Sequence, residues 1–261
     1  MTAAIEFDPK MAEHTRREDM LPRRRALRHL KAVTNPRGCD ITLSGAGRFG
    51  DDIVKACDPT ITEIIRYGLP QRGLSREVNV WRAKNAPNLW RGARRVLAAR
   101  AMGVSTFYGS LWIRKIDGQT GEITDFGLAS LRVVTTAGVG FVVDAFQNLT
   151  ELENMKYHGV GTGTNAESSS DTALQTELST AYNPDSTRAT GTQGEGASAN
   201  IYRTVGTVTV DASAAITEHG VFSQAATGGG VLLDRSVFSA VNLAASDSIQ
   251  VPYEFTLPAG G

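Results

Sequence analysis

The chain has 261 residues, 41% apolar and 21% charged, an ordinary globular balance that excludes collagenous and coiled-coil classes. Its two cysteines, Cys39 and Cys57, exclude a disulfide framework and a CxxC metal site. No apolar run approaches the roughly 18–20 residues that span a bilayer, and the N-terminus lacks the pattern of a secretory signal, so a soluble chain made in a reducing cytoplasm is expected. The net charge of zero hides a division: residues 1–105 hold 20 Lys/Arg against 11 Asp/Glu, and residues 106–261 hold 7 against 16. Such asymmetry points to different partners for the two halves.

The basic half reads as helix-compatible pieces broken by Pro and Gly. "REDMLPRRRALRHLKAV" can form a helix that begins near Pro22 and ends before "NPRG". "GDDIVKACDPTITEIIRYGLP" offers two short helices, the second opened by Asp58-Pro59 and closed by Gly68. "NLWRGARRVLAARAMG" is the strongest helical run, with Trp90, Val96, Leu97 and Ala101 near one face. The pieces between, including "GLPQRGLSREVNVWRAKNAPN", look irregular, as in an arm laid along a neighbouring subunit. Arg23, Arg24, Arg25, Arg94 and Arg95 are dense enough to serve as docking charges. Three readings stay open for them: phosphate contacts on nucleic acid, an acidic protein surface, or a solvated helix face.

From Thr106 the grammar becomes β. "STFYGSLWIRKID" and "EITDFGLASLRVVT" flank "GQTG" and read as a hairpin over 106–134. A helix over 136–150 follows, with Thr135 or Thr136 as N-cap and Val139, Val142, Val143 and Phe146 as a stripe expected to face the core. Strands then fill 155–258, interrupted by a polar tract from Ser179 to Asn200 that reads as an exposed loop. In the last strand Ile249, Val251, Tyr253, Phe255 and Leu257 share one face, and Pro252 marks an edge strand or a bulge. "SQAATGGG", Ser223 to Gly230, reads as a flexible tip between two strands. The fold class is therefore α+β, mainly β: a C-terminal antiparallel β-sandwich with a short helix over 106–261, preceded by an irregular, partly helical basic arm over 1–105.

Catalytic and cofactor motifs are weak. "GAGRFG" at Gly45–Gly50 has the GxGxxG spacing, but Asp58-Pro59 cuts the following helix and Glu63 sits in a helical stretch, so a Gly-rich connection is the reading. "HGVGTGTN" lacks the Lys-Ser/Thr of a phosphate-binding loop. His14, His29, His158 and His219 show no ligand spacing, so no metal or cofactor is expected. Glu218 and His219 are strand neighbours and point to opposite faces. Asp234 and Arg235 interrupt an apolar run and fit a structural ion pair or a subunit contact. No catalytic residue and no paired carboxylates for polysaccharide hydrolysis can be assigned.

The ordered series "KYHGVGTGTNAES…DTALQTEL", "TGTQ" and "YRTVGTVTVDASAAITEHGVFSQAATGGGVLLDRSVFSAVNLAASDSIQVPYEFTL" resembles a domain common in tailed-bacteriophage virion proteins. In that family a short helix opened by "VVTTAG" precedes the "GTGT" strand, and an "ITE-GLF…GG-LL-R-VF…N…DS-QV-Y/W" unit closes the domain. Here His219-Gly220-Val221 stands at the middle Gly-Leu step. The resemblance covers residues 130–258 and implies a non-enzymatic virion structural protein assembled in the host cytoplasm. Within that class the preferred reading is a head decoration or cement protein with the major capsid protein and copies of itself as partners. A tail or collar fibre protein is the alternative within that class, and a DNA-binding packaging protein acting through the basic half is the alternative outside it.

Overall fold

The computed structural model describes residues 64–101 and 106–258. Arg23, Arg24, Arg25, both cysteines, His14, His29, "GAGRFG" and Glu63 lie outside the described residues. Residues 64–66 are helical, and the chain turns at Tyr67 and Gly68.

Helix α1 spans Arg76–Ala101 and starts fourteen residues before the Trp90 region where the helical signal is strongest. Ser75 caps it, its Oγ accepting from the Val78 N–H at 3.2 Å. Pro87 lies inside, at a cost of about 3 kcal/mol for the lost hydrogen bond and ring clash. Tertiary contacts override that cost: Trp81, Leu89, Ala93 and Val96 are buried, each large apolar side chain contributing roughly 1.5–3 kcal/mol. The segment 64–101, read from sequence as part of an extended arm, is thus packed on the β-body. A Cβ at Gly92 would overlap the Leu131 carbonyl, so helix and sheet approach to backbone contact there.

Strands β1 (Tyr108–Ile116) and β2 (Ile123–Val133) form the expected hairpin, antiparallel with two register shifts. Its turn is fixed by Asp117 Oδ1, which accepts from the Gln119 and Thr120 N–H groups at 3.0 and 2.7 Å. Helix α2 (Thr136–Phe146) follows, with Thr135 as N-cap: its Oγ1 accepts from the Gly138 N–H at 2.9 Å. The helix stops short of residue 150 because Asn148 adopts φ +58°. Asn148 N–H then bonds the Ala145 carbonyl and Leu149 N–H the Asp144 carbonyl, a Schellman closure.

After a short 3-10 turn (Leu152–Asn154) come β3 (Tyr157–Gly161), β4 (Ala189–Thr190), β5 (Thr192–Glu195), β6 (Ile201–Thr209), β7 (Ala214–Phe222), β8 (Leu232–Leu243) and β9 (Ser248–Thr256). They build two antiparallel sheets, ordered β2-β1-β9-β6-β5 and β4-β3-β7-β8. The fold is mainly β, as expected. Leu111, Ile113, Ile249, Val251, Tyr253 and Phe255 from the first sheet meet Ile216, Val221, Leu233, Phe238 and Val241 from the second in one core cluster.

Strand β9 is central rather than an edge. The β1–β9 register runs to Leu111↔Tyr253 and resumes at Arg114↔Gln250, so Pro252 falls where that ladder is interrupted, while the β6–β9 register pairs it with Val205. The tract Ser179–Asn200 is more than a loop. It contains β4 and β5 and buries Tyr182, whose hydroxyl accepts from the Val160 N–H and donates to the Val160 carbonyl at 2.7 and 2.9 Å.

Strands β2 and β8 end their respective sheets on the same side of the sandwich, and α1 lies across both. Arg82 Nε donates to the Phe126 carbonyl at 2.9 Å, and Trp81 Nε1 to the Ser239 carbonyl at 2.9 Å. Asn85 bridges the two: its Nδ2 donates to the Ala129 carbonyl at 2.8 Å, and its Oδ1 accepts from the Ser239 N–H at 2.9 Å. The helix thereby satisfies and covers two sheet edges that would otherwise be open to further strand pairing.

Candidate functional site

A line of polar side chains crosses the interior. His158 on β3 and His219 on β7 are both buried, with His158 Nδ1 3.0 Å from His219 Nε2 and His158 Nε2 3.1 Å from Thr204 Oγ1. A Cβ at Gly206 would stand 2.5 Å from the His158 ring, so β6 passes the imidazole at backbone distance. Burial pushes His158 down to about 3, and burial together with the neighbouring ring pushes His219 well below the usual histidine range. Both rings are neutral near pH 7.

His219 lies against Tyr253, whose hydroxyl donates to Asp234 Oδ2 at 3.2 Å. Burial pushes Asp234 up to about 7, although Arg132 and the Tyr253 hydroxyl oppose that rise. Arg132 is itself buried on β2. It donates to the carbonyls of Asn88, Leu131 and Val237, and its Nε sits 3.3 Å from Glu167 Oε1 without the alignment of a hydrogen bond. Burial lowers the Arg132 guanidinium to about 10. Burial also opposes the charge on Glu167, yet hydrogen bonds from Arg91 and the charge of Arg132 hold its carboxyl below the ordinary value. Arg91 grips Glu167 through two bonds of 3.0 Å, which ties α1 to the loop that follows β3.

Two further buried arginines fasten loops to the outer face of the second sheet. Arg235 Nε donates to Glu218 Oε2 at 2.8 Å and its Nη1 to Asp171 Oδ2 at 3.0 Å. Glu218 in turn accepts from the N–H groups of Gly163, Gln175 and Thr176 at 3.0, 2.9 and 2.7 Å. Arg188 holds Glu177 at 2.6 and 2.9 Å and covers the Phe222 ring at 3.4 Å. Its Nη1 also donates to the Gln224 and Gly229 carbonyls at 2.9 and 2.8 Å. The "SQAATGGG" tip joins β7 to β8, as expected, and is laced to the preceding loop. Gly228 and Gly230 supply the positive φ angles, +76° and +79°, that the tip requires.

Strand alternation thus sends Glu218 and His219 to opposite faces, as expected, and Asp234 and Arg235 likewise, with both of the latter buried. Each buried charge meets a counter-charge or hydrogen-bond partners, which fixes loops. The pairing of His158 with His219 was invisible in sequence. They stand 61 residues apart and meet only through the β3–β7 register, which pairs Val160 with His219.

The accessible feature is apolar. In α2, Phe141 and Val142 face the core, but Val139, Val143 and Phe146 project outward, against the expectation that the whole stripe is buried. Positions i, i+4 and i+7 share one helix face. Phe146 is 84% exposed, and Leu149 (70%) and Leu152 (50%) continue the ridge beyond the Schellman turn. Asp144, Glu151 and Glu153 are exposed beside it, and residues 135–155 contain no Lys or Arg. Contiguous exposed apolar side chains with a charged rim mark interaction surfaces.

Of the arginines singled out from sequence, Arg94 and Arg95 are exposed on α1, Arg94 Nε donating to the Trp90 carbonyl of its own helix at 3.2 Å. The outer face of the first sheet carries an open depression of about 220 Å³ lined by Trp112, Arg114, Asp125, Arg203, Pro252 and Glu254. Its charges are already paired, Arg114 with Asp125 at 3.1 Å and Arg203 with Glu254 at 4.0 Å. Among the described residues no helix is long and apolar enough to cross a membrane, and no group of three or more His, Cys, Asp or Glu side chains is placed to hold a metal ion. No family model matches the chain, and no curated protein matches it.

Proposed function

We propose that this chain is a non-enzymatic structural protein of a tailed-bacteriophage virion, acting as a decoration or cement protein on the major capsid lattice. The observation that carries the proposal is the exposed, acid-rimmed apolar ridge of α2, on a body whose buried charges are spent on holding its own loops. A surface of that kind is suited to protein association, where apolar contact supplies affinity and charge sets register. The ordered series over residues 130–258 that resembles virion proteins supports the same reading. The basic residues Arg23, Arg24, Arg25, Arg94 and Arg95 are the charges assigned to docking, against an acidic partner surface. Assembly takes place in the host cytoplasm and the protein ends in the particle.

The test is the copy number of the protein per purified virion, by quantitative mass spectrometry against the major capsid protein. A stoichiometry comparable to that of the shell protein is expected. A handful of copies would move the protein to the tail or collar, and absence from the particle would overturn the virion reading.

A further inference from the structure

The depression beside Trp112 continues into a second one of about 400 Å³, which shares Arg203 and reaches Val205, Thr207, Gln250 and the edge strand β5. The two form one shallow trough across the outer face of the first sheet, from β2 to β5, about 19 Å over four strand spacings. At one end Tyr67 leans on Trp112, ring centroids 5.6 Å apart, and is 56% exposed. The Tyr67 carbonyl accepts from the Leu128 N–H at 3.3 Å, and a Cβ at Gly127 would overlap it, so the aromatic pair is fixed to β2 at backbone contact. A polar row crosses the floor. Asp125 Oδ1 accepts from the Gly127 N–H at 2.8 Å, and its Oδ2 from Arg114 Nε at 3.1 Å. Arg114 Nη1 reaches Gln250 Oε1 at 3.5 Å and Gln250 Nε2 reaches Thr207 Oγ1 at 3.4 Å, both long and weak bonds. Arg203 stands 4.0 Å from Glu254, too far for a hydrogen bond.

The ligand class follows from what this row offers. Two arginines face three carboxylates, those of Asp125, Glu195 and Glu254, so a phosphate or other polyanion meets no net positive charge. Among the described residues no three acidic groups converge on a cation either. What remains is a set of donors and acceptors of near-zero net charge beside exposed aromatic rings. A neutral oligosaccharide matches it. Its hydroxyls donate to carboxylates and accept from guanidinium and amide groups, and the C–H face of a pyranose ring lies on the negative face of an aromatic ring. The long bonds among Arg114, Gln250 and Thr207 exchange for ligand hydroxyls at small cost. We infer that this face binds a neutral polysaccharide chain, laid across the strands from Tyr67 and Trp112 to Thr207 and β5. The virion reading does not use this surface, and the inference stands or falls independently of it.

The experiment applies the labelled full-length protein to an array of neutral, sialylated and sulfated oligosaccharides. Retention by neutral oligosaccharides, unchanged between about 0.05 and 0.5 M salt, is expected, because the ligand brings no charge to be screened. The strongest neutral binder is then titrated into ¹⁵N-labelled protein. The three tryptophans give three indole signals, and Trp112→Phe assigns one of them. The Trp112 signal should move, while that of Trp81, whose N–H is held by the Ser239 carbonyl, stays. Tyr67→Ala with Arg203→Ala, both at exposed side chains, should weaken binding at least about tenfold and leave the urea midpoint unchanged. Retention of acidic glycans alone, retention of none, an unmoved Trp112 signal, or undiminished binding by the double variant would each overturn the inference.

Discussion

The two helices invert the usual relation between composition and burial. Helix α1 is rich in arginine and asparagine and contains a proline, yet it buries Trp81, Arg82, Asn85, Leu89, Ala93 and Val96. Helix α2 is far more apolar and carries no basic residue, yet it leaves Val139, Val143 and Phe146 in solvent. The difference lies in what each helix must cover. Helix α1 lies over two open sheet edges, whose carbonyls and N–H groups call for Trp, Arg and Asn side chains as well as apolar ones. Helix α2 buries Gly138, Phe141 and Val142 against the body and leaves the rest of its surface exposed.

Truncating α1 should have the largest effect. Leu89→Ala is expected to cost about 2–5 kcal/mol in urea unfolding, because the side chain is completely buried beside Leu128 and Leu131. A cost below about 1 kcal/mol would show that α1 is an appendage rather than part of the body. Asn85→Ala comes next, at about 1–3 kcal/mol, since it strands the Ser239 N–H and the Ala129 carbonyl at both sheet edges.

Acid sharpens the contrast further, because α1 is tied through Arg91 and Glu167 to the interior polar line. His158 and His219 have lowered folded values, so the unfolded state binds their protons first and stability falls as pH drops below about 6.5. Asp234, raised to about 7, acts in the opposite sense between its ordinary value and pH 7, binding its proton in the folded state. Two protons against one leave a net loss of stability, on the order of 1 kcal/mol per pH unit, as pH falls from roughly 6 towards 4. Asp234→Asn should steepen that slope towards twice the value, read from urea midpoints across pH. A flat profile in that variant would show that the two imidazoles titrate normally.

Phe146→Ser should have the smallest effect on stability, within about 0.5 kcal/mol, because the ring is already in water. On the proposed virion role the same change should lower copy number in the particle, a separation between folding and association that Leu89→Ala cannot produce.

Local chemistry was legible in the sequence. The Thr135 cap, the turn between β1 and β2 and the burial of Ile249, Val251, Tyr253 and Phe255 each follow from one residue's neighbours. The stretch containing Pro87 read as irregular because a proline's local penalty says nothing of the packing that overrides it, and of the two readings of Pro252 the edge strand failed because β9 lies between β1 and β6. Of the candidate surface, sequence supplied the apolar stripe on α2 and left its direction undetermined.

The amino-acid order by itself determined two antiparallel β-sheets, a capped short helix and the division of charge between the halves. These depend on period, propensity and turn residues, which act over a few positions. Tertiary structure alone decided that His158 meets His219, that Arg235 meets Glu218, that α1 closes two sheet edges and that Phe146 faces solvent. Each of those outcomes depends on which strand lies beside which, and strand order is set by packing across the whole core rather than by any local run of residues.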